Sequence, residues 1–178
     1  MSENSSIRAS ATEKPSTAAE EQGIVVTRII NAPRRAVFEA WTEPERLARW
    51  WGPRGFTSPV ARIDLRVGGT YLWGMRSPDG RDFFNSGVFR EIVEPERIVL
   101  TESIADADGT VVPASHYGLP GDWPAEVVMT VTLEERDGKT AMTVREEGIP
   151  KEMRGPGEAG LKESVDKLAE YLEAERAL

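Results

Sequence analysis

The sequence contains no cysteine, and this absence excludes several kinds of chemistry at once. Without thiols the chain forms no disulfides, has no thiolate nucleophile and offers no sulfur ligand to a metal. Histidine is almost as scarce, because the sequence contains only His116. A chain without disulfides is typical of a reducing compartment, so we expect a cytoplasmic protein.

Long hydrophobic runs and basic runs are also missing. No segment approaches the roughly 20 apolar residues of a membrane-spanning helix, and residues 1–23 lack the apolar stretch of a secretory signal. The net charge is -8, and no cluster of Lys or Arg interrupts the acidity. Because such a surface repels phosphates, we expect neither nucleic-acid binding nor membrane insertion.

The composition divides the chain into two regions. Residues 1–22 are rich in Ser, Thr, Ala and Glu and contain almost nothing to bury, which predicts a disordered N-terminal tail. Residues 23–178 have the apolar content and regular patterns of a single folded domain.

The domain begins with one strand and two short helices. The β-branched residues of 24–30 predict the strand. Pro33 suits the first turn of a helix, and a second short helix is predicted from Pro44 to about Trp51.

Strands and one long helix make up the rest of the domain. Turn residues separate six predicted strands, at 57–66, 69–76, 86–94, 97–105, 126–135 and 139–148. Residues 106–125 form a long loop, and an apolar stripe predicts a helix from about Pro156 to Ala174. A twisted antiparallel sheet needs a cover on its concave side. We therefore predict an α+β fold whose sheet of about seven strands wraps around the C-terminal helix and leaves a cavity.

One glycine pattern imitates a dinucleotide site. Residues 155–160 satisfy G-x-G-x-x-G and precede a helix, but no strand comes before them and no parallel strand can return after them. Small residues here instead let the helix approach the sheet or a ligand closely. The sequence also lacks the nucleophile-elbow, zinc-protease and phosphate-loop motifs, so we predict no cofactor and no metal site.

Three residues are candidates for acid–base chemistry. His116 is a candidate because histidine is the side-chain type most often used as a general base, but no carboxylate partner can be assigned to it. Glu102 and Glu146 share the strand parity of apolar neighbours, so one of them is a candidate to point into the concave face as an orienting group or an acid–base. We assign no catalytic residue, and we favour a non-enzymatic function over catalysis.

Aromatic side chains are concentrated in the first half of the domain. Tyr71 and Trp73 share one face of one strand with Met75, and four more rings lie within 41–56. A single ring is usually part of a core, but a set of rings on a concave face often lines a pocket.

A series of short motifs then identifies a family. They are INAP at 30–33, LARWWGP at 47–53, IDLRVGG at 63–69, PDG at 78–80, GVF at 87–89, IVEPERI at 92–98 and the segment 160–172. With these motifs in order, residues 24–174 resemble the START-like, birch-pollen-allergen-like (SRPBCC) superfamily. Within it, they resemble the branch of activator of heat-shock-protein-90 ATPase homologues.

The resemblance implies the helix-grip fold and a hydrophobic cavity between the sheet and the C-terminal helix. Relatives across the superfamily carry lipids, sterols, polyketides or plant hormones, and some are enzymes. We therefore expect binding of a small hydrophobic or amphipathic molecule, with acid–base catalysis in the same cavity as an alternative. Members of the branch often have Trp where this chain has Leu161, a difference that is expected to widen the cavity mouth.

The branch name implies a further alternative, a stress-related co-chaperone that stimulates a chaperone ATPase. That co-chaperone has an additional domain, for which we expect no room in this chain. The residues predicted to line the ligand site are Trp41, Phe56, Tyr71, Trp73, Met75, Phe89, His116, Tyr117, Met129, Leu161 and Val165.

Overall fold

The computed structural model describes residues 23–178, so the predicted tail at 1–22 lies outside the described residues. In chain order the elements are strand β1 (Gly23–Ile30), helices α1 (Arg34–Thr42) and α2 (Pro44–Leu47), strands β2 (Thr57–Ile63), β3 (Thr70–Arg76), β4 (Asp82–Val93) and β5 (Arg97–Ala105), a 3₁₀ turn (Ala114–Tyr117), strands β6 (Val127–Arg136) and β7 (Lys139–Glu147), and helix α3 (Lys151–Arg176). None of the helices in this part of the chain is long and apolar enough to cross a membrane.

The seven strands form one antiparallel sheet in the order β1-β7-β6-β5-β4-β3-β2. Strict alternation in β6 buries every second side chain from Val127 to Leu133 against the concave side of the sheet. Helix α3 covers this side and buries Val165, Leu168 and Leu172. The α+β helix-grip prediction is therefore confirmed.

Four element boundaries differ from the prediction by three residues or more: β2 ends at Ile63 rather than 66, α2 ends at Leu47 rather than at about Trp51, and both β4 and α3 begin earlier than predicted. Strand β4 begins at Asp82 rather than at 86, because Phe83 and Phe84 pair with the end of β3. Helix α3 begins at Lys151, after Pro150, and Pro156 lies inside it. The sequence pattern placed a helix start at Pro156, but Met153 packs against the core and holds an earlier turn.

A cluster of tryptophans fills the core beneath α1 and α2. The ring centroids of Trp41 and Trp50 are 4.7 Å apart, and those of Trp51 and Trp73 are also 4.7 Å apart. The indole N–H of Trp50 donates to the carbonyl oxygen of Ala40 at 3.0 Å. These edge and tilted contacts are the favourable geometries for aromatic pairs, so the cluster stiffens one end of the domain.

Lys167 fastens α3 to the segment that follows α2. Its Nζ donates to the carbonyl oxygens of Gly52 at 2.8 Å and of Pro53 and Phe56 at 3.3 Å. Burial lowers the pKa of this ammonium group, and the neighbouring Arg54 lowers it further. The middle of α3 is thus held by polar contacts as well as by its apolar stripe.

Candidate functional site

A cavity of about 720 Å³ lies between the concave side of the sheet, the connection from β5 to β6 and the first half of α3. Its volume is in the range of small-molecule sites. Val111, Ser115 and Pro156 line the cavity and are exposed, so it opens to solvent between the connection and α3.

Aromatic and apolar side chains form the wall on the side of β3 and β4. Phe56 and Phe83 lie with ring centroids 6.5 Å apart, and both line the cavity together with Met75 and Trp51. Antiparallel pairing places Met75 directly opposite Phe83, so these two side chains share one face of the sheet. This wall gives an apolar ligand a broad surface to contact.

The connection between β5 and β6 closes a second side of the cavity. Its 3₁₀ turn places Tyr117 against Phe83 with ring centroids 5.2 Å apart. The Tyr117 hydroxyl donates to the carbonyl oxygen of Ala105 at 2.5 Å, which ties the connection to the end of β5. This hydrogen bond holds Tyr117 in the wall, and its hydroxyl proton is therefore not available to a ligand.

Helix α3 forms the third side and approaches the sheet through small residues. A Cβ atom at Gly157 would lie 2.8 Å from Cδ1 of Ile24, and one at Gly160 would lie 3.3 Å from Cγ of Pro53. The G-x-G-x-x-G pattern thus lies within α3 and permits close packing beside the cavity. Leu161, at its end, lines the cavity and is buried.

Two carboxyl groups interrupt the apolar wall. Glu102 on β5 and Glu146 on β7 flank β6, opposite Val127 and Met129 respectively, and both line the cavity. Strand parity places both on the concave side. Each keeps some accessible surface because it borders the cavity, although protein surrounds both carboxyl groups.

The environment of the pair disfavours the charged carboxylate. Burial raises the pKa of Glu102 to about 7. Burial also raises the pKa of Glu146 well above its ordinary value, and the charge of Glu102 raises it further. Oε2 of Glu102 is buried and accepts no hydrogen bond from any described residue. The pair therefore holds protons close to neutral pH.

Tyr71 lies close enough to both carboxyl groups for their charges to affect the pKa of its hydroxyl. Burial raises the pKa of its phenol, and the charges of Glu102 and Glu146 raise it further. The hydroxyl donates to the carbonyl oxygen of Thr101 at 2.6 Å, so its proton is not available to either glutamate. The indole N–H groups of Trp51 and Trp73 are buried and have no hydrogen-bond partner among the described residues.

The structure separates the predicted site residues into three groups. Four of them line the cavity, namely Phe56, Met75, Tyr117 and Leu161. Six are buried in the core without bordering the cavity, namely Trp41, Tyr71, Trp73, Phe89, Met129 and Val165. His116 is exposed and does not line the cavity. Its ring lies edge-on to that of Tyr117, with the two ring centroids 4.8 Å apart.

Sequence reasoning did not select several residues that line the cavity, among them Trp51, Phe83, Ile149 and Met153. Trp51 and Phe83 were visible as aromatic residues, but only the pairing of strands shows which rings reach the cavity. Of the three acid–base candidates, the structure brings together Glu102 and Glu146, where strand parity had suggested one of them. The parity of β5 and β7 was the available signal for both.

No group of three or more potential metal-ligating side chains occurs among residues 23–178. The two glutamates of the cavity therefore have no third ligand from this part of the chain. Their arrangement can instead share a proton, accept hydrogen bonds from a bound molecule or compensate a positive charge.

Comparison with known sequences gives one family match. The sequence model of the family described as "Activator of Hsp90 ATPase homolog 1-like protein" matches residues 31–173. No curated protein matches the chain.

Solved structures of several bacterial proteins have the same fold as this chain. A protein of Chromobacterium violaceum is 30% identical, with a TM-score of 0.71 over 85% of this chain and 97% of that one. A protein of Nitrosomonas europaea is 24% identical, with a TM-score of 0.71 over 89% of this chain and 98% of that one. A Silicibacter pomeroyi protein, whose description includes AHSA1, is 23% identical, with a TM-score of 0.69 over 86% of this chain and 99% of that one.

Proposed function

The chain belongs to the activator of Hsp90 ATPase homolog 1-like family, and from this premise we propose that it binds a small hydrophobic or amphipathic molecule in the cavity beneath α3. One observation carries the proposal, namely a cavity of about 720 Å³ between sheet and helix. Its wall is mostly apolar, with rings such as Phe56 and Phe83, and apolar walls with few polar groups are the usual composition of ligand sites. Lipid-like molecules are within this class, and the absence of cysteine favours a cytoplasmic setting.

A blocking substitution tests this proposal. Leu161→Trp adds a bulky ring at the cavity wall, so we expect the Kd of 2-naphthalenemethanol to rise by about tenfold or more. Isothermal titration calorimetry measures this change. Lys162→Trp is the matched control, because Lys162 is exposed on the same helix and its replacement leaves the cavity free. Equal binding by L161W and the unsubstituted protein would count against the cavity as the site.

The carboxyl pair supports a second candidate function, acid–base catalysis on a bound molecule. Glu102 and Glu146 meet the requirement that two proton-transferring groups converge in the cavity. If they act in this way, the protein should accelerate exchange of the methyl hydrogens of 2-acetylnaphthalene for deuterium in D₂O. Proton NMR follows the exchange. A rate no faster than that of the doubly substituted protein, Glu102→Gln with Glu146→Gln, would dispose of this candidate.

The family description also names activators of Hsp90 ATPase, and stimulation of a chaperone ATPase is a separate alternative. A co-chaperone would use its surface, whereas the proposal above uses the cavity. Loss of any ATPase stimulation on surface substitution, with ligand binding retained, would favour the co-chaperone alternative.

A further inference from the structure

Among residues 23–178, the two glutamates are the only ionisable carboxyl groups on the wall of the cavity, and no cationic side chain of this part of the chain lies on the wall with them. None of the described residues that line the cavity is Lys, Arg or His. A carboxylate transferred from water to an apolar environment is strongly destabilised unless a counter-charge or hydrogen-bond donors replace the lost water. On this wall, an ionised Glu102 or Glu146 therefore needs a positive charge or hydrogen-bond donors that the described cationic side chains do not supply.

The hydroxyl groups nearest the pair donate elsewhere. Ser103 Oγ donates to the carbonyl oxygen of Ala125 at 2.8 Å, and Ser164 Oγ donates to that of Gly160 at 3.0 Å. The Tyr71 and Tyr117 hydroxyls likewise donate to backbone carbonyl oxygens, of Thr101 and Ala105. Since these side-chain protons are committed, none of these four hydroxyl groups serves Glu102 or Glu146, and a bound molecule or water can supply donors to the pair.

We propose that the ligand of this cavity carries a protonated amine on an apolar body, with the ammonium group between Glu102 and Glu146 and the body against Phe56 and Phe83. The inference rests on the proposed function, since it needs the cavity to hold a small molecule. An ammonium group supplies three donors and one positive charge, which suit two carboxyl groups that have no cationic side chain beside them in the described part of the wall. Charge-assisted hydrogen bonds of this kind are roughly twice as strong as those between neutral groups.

Proton release is the property that separates an amine from a neutral donor. In the free protein the pair holds protons, because burial and mutual repulsion favour the neutral carboxyl forms. An ammonium group favours the ionised forms, so its binding expels a proton to the buffer, whereas an alcohol binds without changing the charge. Among the other titratable groups of residues 23–178, Tyr71 of β3 interacts with both carboxyl groups, and Tyr117 of the β5–β6 connection lines the same cavity. In the described chain, β1 and α3 contribute only uncharged side chains to the cavity wall.

Three probes with one apolar body test the inference: 2-(aminomethyl)naphthalene, 2-naphthalenemethanol and 2-naphthoate. Isothermal titration calorimetry at pH 7, in two buffers with different ionisation enthalpies, gives both the affinity and the number of protons released. We expect the amine to bind about tenfold more tightly than the alcohol, with release of up to about one proton. The naphthoate should bind most weakly, because its charge repels the pair.

Conservative substitutions assign the effect to the pair. Glu102→Gln and Glu146→Gln keep the shape of the side chains, so each should reduce both the preference for the amine over the alcohol and the proton release. Glu147→Gln, at an exposed neighbouring position, is the matched control and should change neither quantity.

The outcomes distinguish this inference from the proposed function. Equal affinities for amine and alcohol, or tightest binding of the naphthoate, would overturn the amine inference and leave cavity binding intact. An amine preference that survives in both Gln variants would also overturn it. If none of the three probes binds, the proposed function itself fails.

Discussion

At the residue scale, Glu102 and Glu146 occupy positions at which the rest of the sheet places apolar side chains. Neighbouring inward positions on the same strands hold Leu100 and Val144, which are fully buried in the core. A polar side chain at such a position reduces stability unless it finds a partner. Two acidic side chains at inward positions of the strands that flank β6 therefore reduce stability unless partners for them are supplied.

The pH dependence of stability tests the state of Glu102. Burial raises its pKa from 4.5 to about 7, so the folded protein binds more protons than the unfolded chain between these values. Stability contributed by the neutral carboxyl is therefore present below about pH 4.5 and lost as the pH rises through about 7. Relative to Glu102→Gln, we expect the protein to lose about 3 kcal/mol between pH 5 and pH 8.

Urea denaturation at the two pH values measures this difference. The variant E102Q should be the more stable protein at pH 8, and the two should differ much less at pH 5. Glu147→Gln serves as the control and should stay within about 0.5 kcal/mol of the unsubstituted protein at both values. A parallel loss of stability in E102Q and the unsubstituted protein would contradict a buried, protonated Glu102.

At the element scale, the first three turns of α3 contain the sequence features least suited to a helix. Gly155, Pro156, Gly157 and Gly160 fall within them, although glycine and proline are the poorest helix formers. These turns are held by packing instead, because Met153 contacts the core and Gly157 lies close to Ile24. The cavity is thus bordered by the part of α3 whose local preference for helix is weakest.

Replacement of the internal proline measures how much the helix loses there. Pro156→Ala restores a backbone N–H and removes the contact between the proline ring and the preceding turn. Proline also restricts the unfolded chain, so the net gain is smaller than the intrinsic difference, and we expect stabilisation by about 1–2 kcal/mol.

Thermal unfolding and amide hydrogen exchange both report this change. Exchange at 151–157 should slow in P156A, because the added hydrogen bond lies in that segment. Ala159→Ser, at an exposed position of the same helix, is the control and should have a small effect. A loss of stability in P156A would show that the proline is required by the packing of the cavity wall.

At the scale of the whole molecule, the pattern of the chain was sufficient to predict the architecture. Alternation in β6 and β7, turn residues between strands and the apolar stripe of α3 are each local signals, and they agree with one another. All seven strands and all three helices were predicted, because each has a period or a boundary residue of its own. The predicted ends of β2 and α2 were too late, whereas the predicted starts of β4 and α3 were too late because long-range pairing and core packing extend these elements beyond their local signals.

The sequence could not show which of the aromatic residues border the cavity and which are buried in the core. Trp73 and Met75 have the same strand parity, yet Trp73 packs in the tryptophan cluster while Met75 borders the cavity. Parity fixes which side of the sheet a residue faces, but Trp73 is covered by the rings of Trp41 and Trp51, which come from α1 and from the segment after α2. The residues of the β5–β6 connection that line the cavity likewise have no periodic pattern to identify them.

By itself, the sequence determined the fold class and the order of the elements, because these follow from local periodicity, and it predicted that one of Glu102 and Glu146 faces the concave side. The tertiary structure decided that both carboxyl groups face one cavity and that six of the eleven predicted ligand-lining residues are core. It also placed His116 on the surface. These outcomes depend on the curvature of the sheet and the position of α3, which arise only when distant parts of the chain pack together.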